Sequence, residues 1–246
     1  MLYYDMSKLL QRFKQDAHND AKHAAKQNGG VMRLIVAIIL LLRPAFAAPW
    51  TCRTVAPGAH YASPPVIGFV SHKVRTVDVR FAPEDATYKC NCTAEPYPTC
   101  MGSWNKLWGA SRCGDLHLHH QDSDRFVWKR ASLTGHVIVA AYSYDSGVKP
   151  YNPPNSNLLQ PFATPLLADG KTSYRFQVEL PAANATTFVL SSAGGVEIER
   201  KIVVHKNACA NWYKGYHLSL YYGGQCTAPS RVEVCYANES TVASGM

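Results

Sequence analysis

Apolar and polar residues alternate with a period of two along much of the chain. In "YRFQVEL", Tyr174, Phe176, Val178 and Leu180 fall on one side, and Arg175, Gln177 and Glu179 on the other. "VEIERKIVV" likewise sets Val196, Ile198, Ile202 and Val204 on an inward face. "YHLSLYY" does so with Tyr216, Leu218, Leu220 and Tyr222, and "VEVCY" with Val232, Val234 and Tyr236. Side chains of a strand point alternately to its two faces, so each pattern predicts a half-buried strand, and the β-branched and aromatic content suits a pleated surface. Strands are also predicted at 65–70, 74–81 and 125–131, and for the continuous apolar run "HVIVAAYSY" at 136–144.

Turn-forming residues separate these segments: Ala-Pro-Glu-Asp at 82–85, Ala-Asp-Gly at 168–170, Pro-Ala-Ala-Asn at 181–184, Ala-Gly-Gly at 193–195 and Gly-Gly at 223–224. About nine short strands without helical periodicity predict an all-β chain: a single antiparallel β-sandwich of Ig-like or jelly-roll type. The Pro- and Asn-rich segment 146–170 is not strand throughout, because prolines remove ladder donors; connections of that length commonly carry function.

Residues Leu34 to Leu42, "LIVAIILLL", break the alternation. The run is too short to span a bilayer. With Arg33 before it and Ala45-Phe46-Ala47 after it, it reads as a secretory signal peptide cleaved after Ala47. Ahead of it, Leu2, Met6, Leu9, Leu10 and Phe13 keep helical spacing in a basic segment, as in a membrane-surface helix. "MRLIVAIILLLRPAFA" is complete as a signal peptide, however, so translation is expected to begin at Met32. The expected organisation is therefore a basic extension at 1–31, a signal peptide at 32–47 and one secreted domain at 48–246. Membrane contact is expected only through the signal peptide before cleavage.

Cleavage changes the charge. Seven of the 25 Lys and Arg and three of the 17 acidic residues precede Ala48, which leaves +4 rather than +8. No dense basic run follows, so nucleic acid is excluded as a partner.

All eight cysteines, Cys52, Cys90, Cys92, Cys100, Cys113, Cys209, Cys226 and Cys235, lie after the cleavage site, and in an exported chain they predict four disulfides. Five precede residue 114 and three follow residue 208, so at least one bridge must join the two groups across 95 cysteine-free residues. Sequons at Asn91, Asn184 and Asn238 mark glycan acceptors if the source is eukaryotic or a virus of a eukaryote.

Chemistry is sparser. In "CGDLHLHHQDSDR", His117 and His119 share a face if the segment is extended, and Asp122 adds an oxygen ligand if the chain turns at Gln121. That donor set suits zinc or copper, or calcium through the aspartates, with His136, His205 or His217 as a third ligand; otherwise the aspartates cap turns and pair with a basic neighbour. Trp104, Trp108, Trp212 and Tyr213 are the candidate contact residues, since flat rings on a rigid β scaffold stack on sugars or anchor a protein partner; the alternative is that they pack around the disulfides. Nucleophile-elbow, zincin and phosphate-loop motifs are missing, and paired cysteines leave no thiol nucleophile.

The expectation is a secreted, disulfide-rich glycoprotein with a non-catalytic binding role toward extracellular carbohydrate or a surface protein. The alternatives are a metal-dependent secreted enzyme acting on polysaccharide and a structural coat or extracellular matrix component.

Overall fold

A computed structural model describes residues 49–63, 68–88, 104–114, 120–148, 156–206, 208–223 and 226–242. The strands are β1 (Thr51–Val55), β2 (Ala62–Ser63), β3 (Phe69–Ser71), β4 (Val74–Phe81), β5 (Asn105–Ser111), β6 (Ser123–Arg130), β7 (His136–Tyr144), β8 (Leu159–Pro161), β9 (Leu166–Leu167), β10 (Tyr174–Ala182), β11 (Ala185–Ser192), β12 (Glu197–Val204), β13 (Lys214–Leu218) and β14 (Val232–Val242). They form two seven-stranded sheets: β12-β11-β10-β4-β14-β1-β2, and β3-β13-β5-β6-β7-β8 with β9 also on β7. Every pairing is antiparallel. The chain is a two-layer β-sandwich.

The alternation read from the sequence explains most of the core. Val77, Val79 and Phe81 of β4 and Phe176 and Val178 of β10 turn inward to meet Phe126 and Trp128 of β6. Phe126 touches Phe176 and Phe188 edge-on at 4.8 and 5.2 Å, so three rings tie the two layers together in the geometry their quadrupoles favour.

Four features depart from the reading. β12 buries Val203, while Val196, Ile202 and Val204 are exposed. The register slips between Leu190 and Ser191 of β11, a one-residue slip exchanges faces, and three consecutive apolar residues at 202–204 fit either choice. β5 is an unforeseen strand: a bulge between Lys106 and Trp108 places both Leu107 and Trp108 in the core and erases the period of two. β11 is almost wholly buried, so it carries no alternation to read. The "APED" turn is a short helix, α1 (Pro83–Thr87), with Pro83 at its start and the buried Asp85 carboxylate accepting the Ala82 N–H at 2.9 Å. Within 156–170 the chain returns along β7 as β8 and β9.

Disulfides Cys52–Cys235 and Cys113–Cys209 both join the N-terminal cysteine group to the C-terminal one, as the parity of the spacing requires. Cys52 and Cys235 lie directly opposite each other on β1 and β14. Cys226 is disulfide-bonded as well, while Cys90, Cys92 and Cys100 lie outside the described residues. Among the described residues no helix is long and apolar enough to cross a membrane. The signal peptide and the extension before it fall outside those residues.

One end of the interior is charged. Arg112, 1% exposed, reaches Asp122 at 3.2 Å, Asp124 at 3.3 Å and Asp145 at 3.4 Å. It also meets His205 Nδ1 at 3.0 Å. A guanidinium only donates, so Nδ1 accepts and the ring proton sits on Nε2, which donates to Thr186 Oγ1 at 2.9 Å. Thr186 donates its own hydroxyl hydrogen bond to Asp124 Oδ2 at 2.8 Å, and Ser143 donates to the other oxygen at 2.6 Å. His205 is thus held neutral: burial pushes its pKa down, against the pull of Asp124.

A pH dependence follows. Because the folded pKa lies below the unfolded value of about 6.5, the unfolded chain takes up the proton first as pH falls, and stability present above about pH 6.5 is lost below it. Urea midpoints should fall between pH 7.5 and pH 5, and His205→Gln should flatten that part of the curve; an unchanged slope in the variant would assign the loss to other groups.

Candidate functional site

The outer face of the second sheet is set by the same alternation. Because Phe126 and Trp128 point inward, Arg125, Val127 and Lys129 of β6 point outward, beside Ala140, Tyr142 and Tyr144 of β7. Val127, Ala140, Tyr142 and Tyr144 form a second buried cluster, with Trp104 and Leu159 packed on it. Arg125 stands opposite Tyr142 on one side and Gly109 on the other. A Cβ at Gly109 would lie 2.5 Å from the Arg125 Cα, so only glycine lets β5 and β6 approach this closely.

Arg125 is 5% exposed, yet its Nε and one terminal nitrogen are buried without a hydrogen-bond partner. Among the described residues no carboxylate pairs with it. Asp124, the adjacent acid, turns inward to Arg112 and His205. Burial lowers the Arg125 pKa while Tyr142, Tyr144 and Tyr216 surround the charge.

Lys106 adds a second cation. Its ammonium donates to the Trp104 carbonyl at 3.0 Å and lies 5.1 Å from the Tyr142 ring and 6.0 Å from the Tyr221 ring. Burial, then repulsion from Arg125, brings its pKa down to about 7. Lys129 sits 4.7 Å from the Trp104 ring. The rim is aromatic: Tyr221 stacks on His60 at 5.2 Å and meets the exposed Tyr61 edge-on at 5.0 Å, while His120 meets Tyr144 at 5.1 Å.

Two mutually repelling cations in a desolvated setting, without a carboxylate between them, cost stability. Strongly perturbed groups of this kind cluster where a ligand supplies the missing charge. Chemically the face offers donors to an anion, which a guanidinium holds in a two-pronged fork, and flat rings to the C–H faces of a ligand.

No known protein family matches the chain, and no curated protein matches it. Among solved structures it is similar to the alginate lyase Aly36B, at 15% identity and a TM-score of 0.48 over 76% of this chain and 78% of that one. It is also similar to scytalido-glutamic peptidase with a transition state analog inhibitor, at 9% identity and a TM-score of 0.41 over 80% and 84%. Porphyranase B from Zobellia galactanivorans aligns at 6% identity and a TM-score of 0.35 over 77% and 75%. Likenesses this distant leave the function to be read from the chain's own residues.

The residues singled out from the sequence are scattered. Trp104 lies on the cationic face. Trp108 is 3% exposed and donates its indole N–H to Glu239 at 2.9 Å, so it offers no open stacking face. Trp212 and Tyr213 pack edge-to-face at 5.2 Å against the main core, with the Lys73 ammonium 4.9 and 5.8 Å from their rings. His117 and His119 lie outside the described residues, and Asp122 is committed to Arg112 and to the Ser146 N–H at 3.0 Å. His136 is hydrogen-bonded to the Thr134 carbonyl, and His217 pairs with Glu239. Among the described residues, Cys52, Glu233 and Cys235 have metal-ligand spacing, but the disulfide occupies both sulfurs. Asn184 and Asn238 are exposed, the latter donating to Asp78 at 2.7 Å, and Asn91 lies outside the described residues.

Arg125, Lys106, Tyr142 and Tyr144 were not anticipated as a site. The signal was present in "RFVWKRA", whose polar positions are all cationic; what alternation cannot show is that this outer face is buried too.

Proposed function

We propose that the protein binds an acidic polysaccharide, one bearing carboxylates or sulfates, on the outer face of its second sheet. The observation that carries this reading is the buried Arg125 guanidinium, with two nitrogens lacking partners, beside Lys106 and among tyrosine rings. An acidic sugar supplies both missing elements: an anion for the cations and a ring for the partly exposed Trp104 and Tyr221. The disulfides suit an extracellular setting, where such polymers occur.

Retention on immobilised polyuronate and on neutral glucan tests it. Strong retention on the acidic polymer, weakening with salt, is expected, with little on the neutral one. Lys106 is charged below about pH 7 and neutral above it, so binding should tighten from pH 8 to pH 6. Equal retention on both polymers would remove the proposal.

Lys106 also favours a second reading. An amine half neutral near pH 7 is matched to general-base work, and catalysis on the same polymer would appear as chain shortening on prolonged incubation.

A further inference from the structure

Between the sheets, away from the cationic face, lies a cavity of about 250 Å³ bounded by β1 and β14 on one side and by β5 and β13 on the other. Leu107, Trp108 and Tyr236 give it an apolar wall. The Tyr236 hydroxyl is spent on the Leu107 carbonyl at 3.0 Å, so its ring is fixed. Glu239 Oε1 accepts the Trp108 indole N–H at 2.9 Å and faces His217 Nδ1 at 3.3 Å. With a carboxylate on Nδ1, that nitrogen carries the proton and Nε2 is left as an acceptor. His217 is neutral near pH 7, since burial lowers its pKa against the pull of Glu239.

Two of the other polar groups, on Ser219 and Glu239, keep hydrogen-bonding capacity in a complementary way. Ser219 lies two residues beyond His217 on the same strand line and faces the cavity, where its hydroxyl makes no hydrogen bond to a described residue. Glu239 keeps its second oxygen. The charges lining the space are Arg53 and Glu239, one of each sign. Arg75, buried nearby, is drawn toward both Glu239 and Asp124.

We propose that this cavity is a second binding site, for a neutral, hydroxyl-rich ring of monosaccharide size. Hydroxyl groups donate and accept at once, matching His217 Nε2 and Glu239 as acceptors and Ser219 as either, while balanced lining charge gives a net anion or cation no advantage. One apolar face of the ring would lie on Tyr236, with Leu107 and Trp108 completing the apolar wall behind it. The site is separate from the acidic-polysaccharide face and does not depend on that reading.

The full chain should be titrated with glucose, galactose and mannose, followed by saturation-transfer NMR and by tryptophan fluorescence. At least one hexose should bind saturably, and saturating polyuronate oligosaccharide should not displace it. Ser219→Val and Glu239→Gln, each checked for native near-UV circular dichroism, should weaken binding by about tenfold or more, the loss expected for one hydrogen bond involving a charged or buried partner. Absence of saturable hexose binding by the native protein would overturn the proposal, as would displacement by the acidic oligosaccharide. Full affinity in both folded variants would do the same.

Discussion

Replacing Arg112 by leucine is expected to destabilise the protein by about 3–5 kcal/mol, the usual cost of removing one partner from a buried ion network. The side chain is nearly inaccessible and stands among Asp122, Asp124 and Asp145. Without it three carboxylates face one another at the end of the sandwich, next to the Cys113–Cys209 disulfide. His205 also loses the donor that fixes its tautomer. The deficit should shrink as pH falls toward 4, because protonating the carboxylates relieves their repulsion. Urea unfolding of both proteins at pH 7.5 and pH 4.5 measures this. A loss below about 1 kcal/mol at pH 7.5, the scale of a surface pair, would show that the network does not hold the layers together.

Arg125→Met should behave in the opposite way. Arg112 is ion-paired with three acids; Arg125 is ion-paired with none among the described residues, and the inward-turned Asp124 acts on it only at longer range. Methionine keeps most of the volume, removes a desolvated charge and ends its repulsion of Lys106, so thermal stability should stay level or rise. The Lys106 pKa should rise as well, since Arg125 is one of the causes holding it near 7. Binding of an acidic oligosaccharide should fall by about 30-fold or more, corresponding to at least about 2 kcal/mol for a buried charge contact. A residue that lowers stability while supporting binding marks a functional position, and the pairing of the two readouts separates it from a structural arginine.

The sandwich was legible because its layers are built from strands with one face in the core. β4 and β7 end at the residues where alternation or apolar content ends, and β10 starts where it starts. β11 escaped because both of its faces are covered, β5 because a bulge breaks its period, and the β12 face because three apolar residues run together. Cysteine parity is arithmetic and needed no geometry, which is why the joining of the two groups was predictable. The site was hidden for a different reason. Aromatic residues were weighed by type, but what separates Trp104 from Trp108 is the side of a bulged strand on which each falls. The significance of Arg125 is the lack of a carboxylate paired with it, since the neighbouring Asp124 turns inward, and no spacing along the chain encodes that. Asp122, read as a metal ligand or a cap, and Asp124, read as pairing with a basic neighbour, are positioned by Arg112, whose role depends on strands far apart in sequence.

Calorimetric titration of wild-type and Arg125→Met protein with one polyuronate oligosaccharide at pH 6, with melting temperatures recorded on the same samples, tests the central claim most directly. The account predicts saturable binding by the wild type and a large loss in the variant, at an equal or higher melting temperature. Equal affinity in the two proteins, or a variant that loses binding only because it has lost its fold, would contradict it.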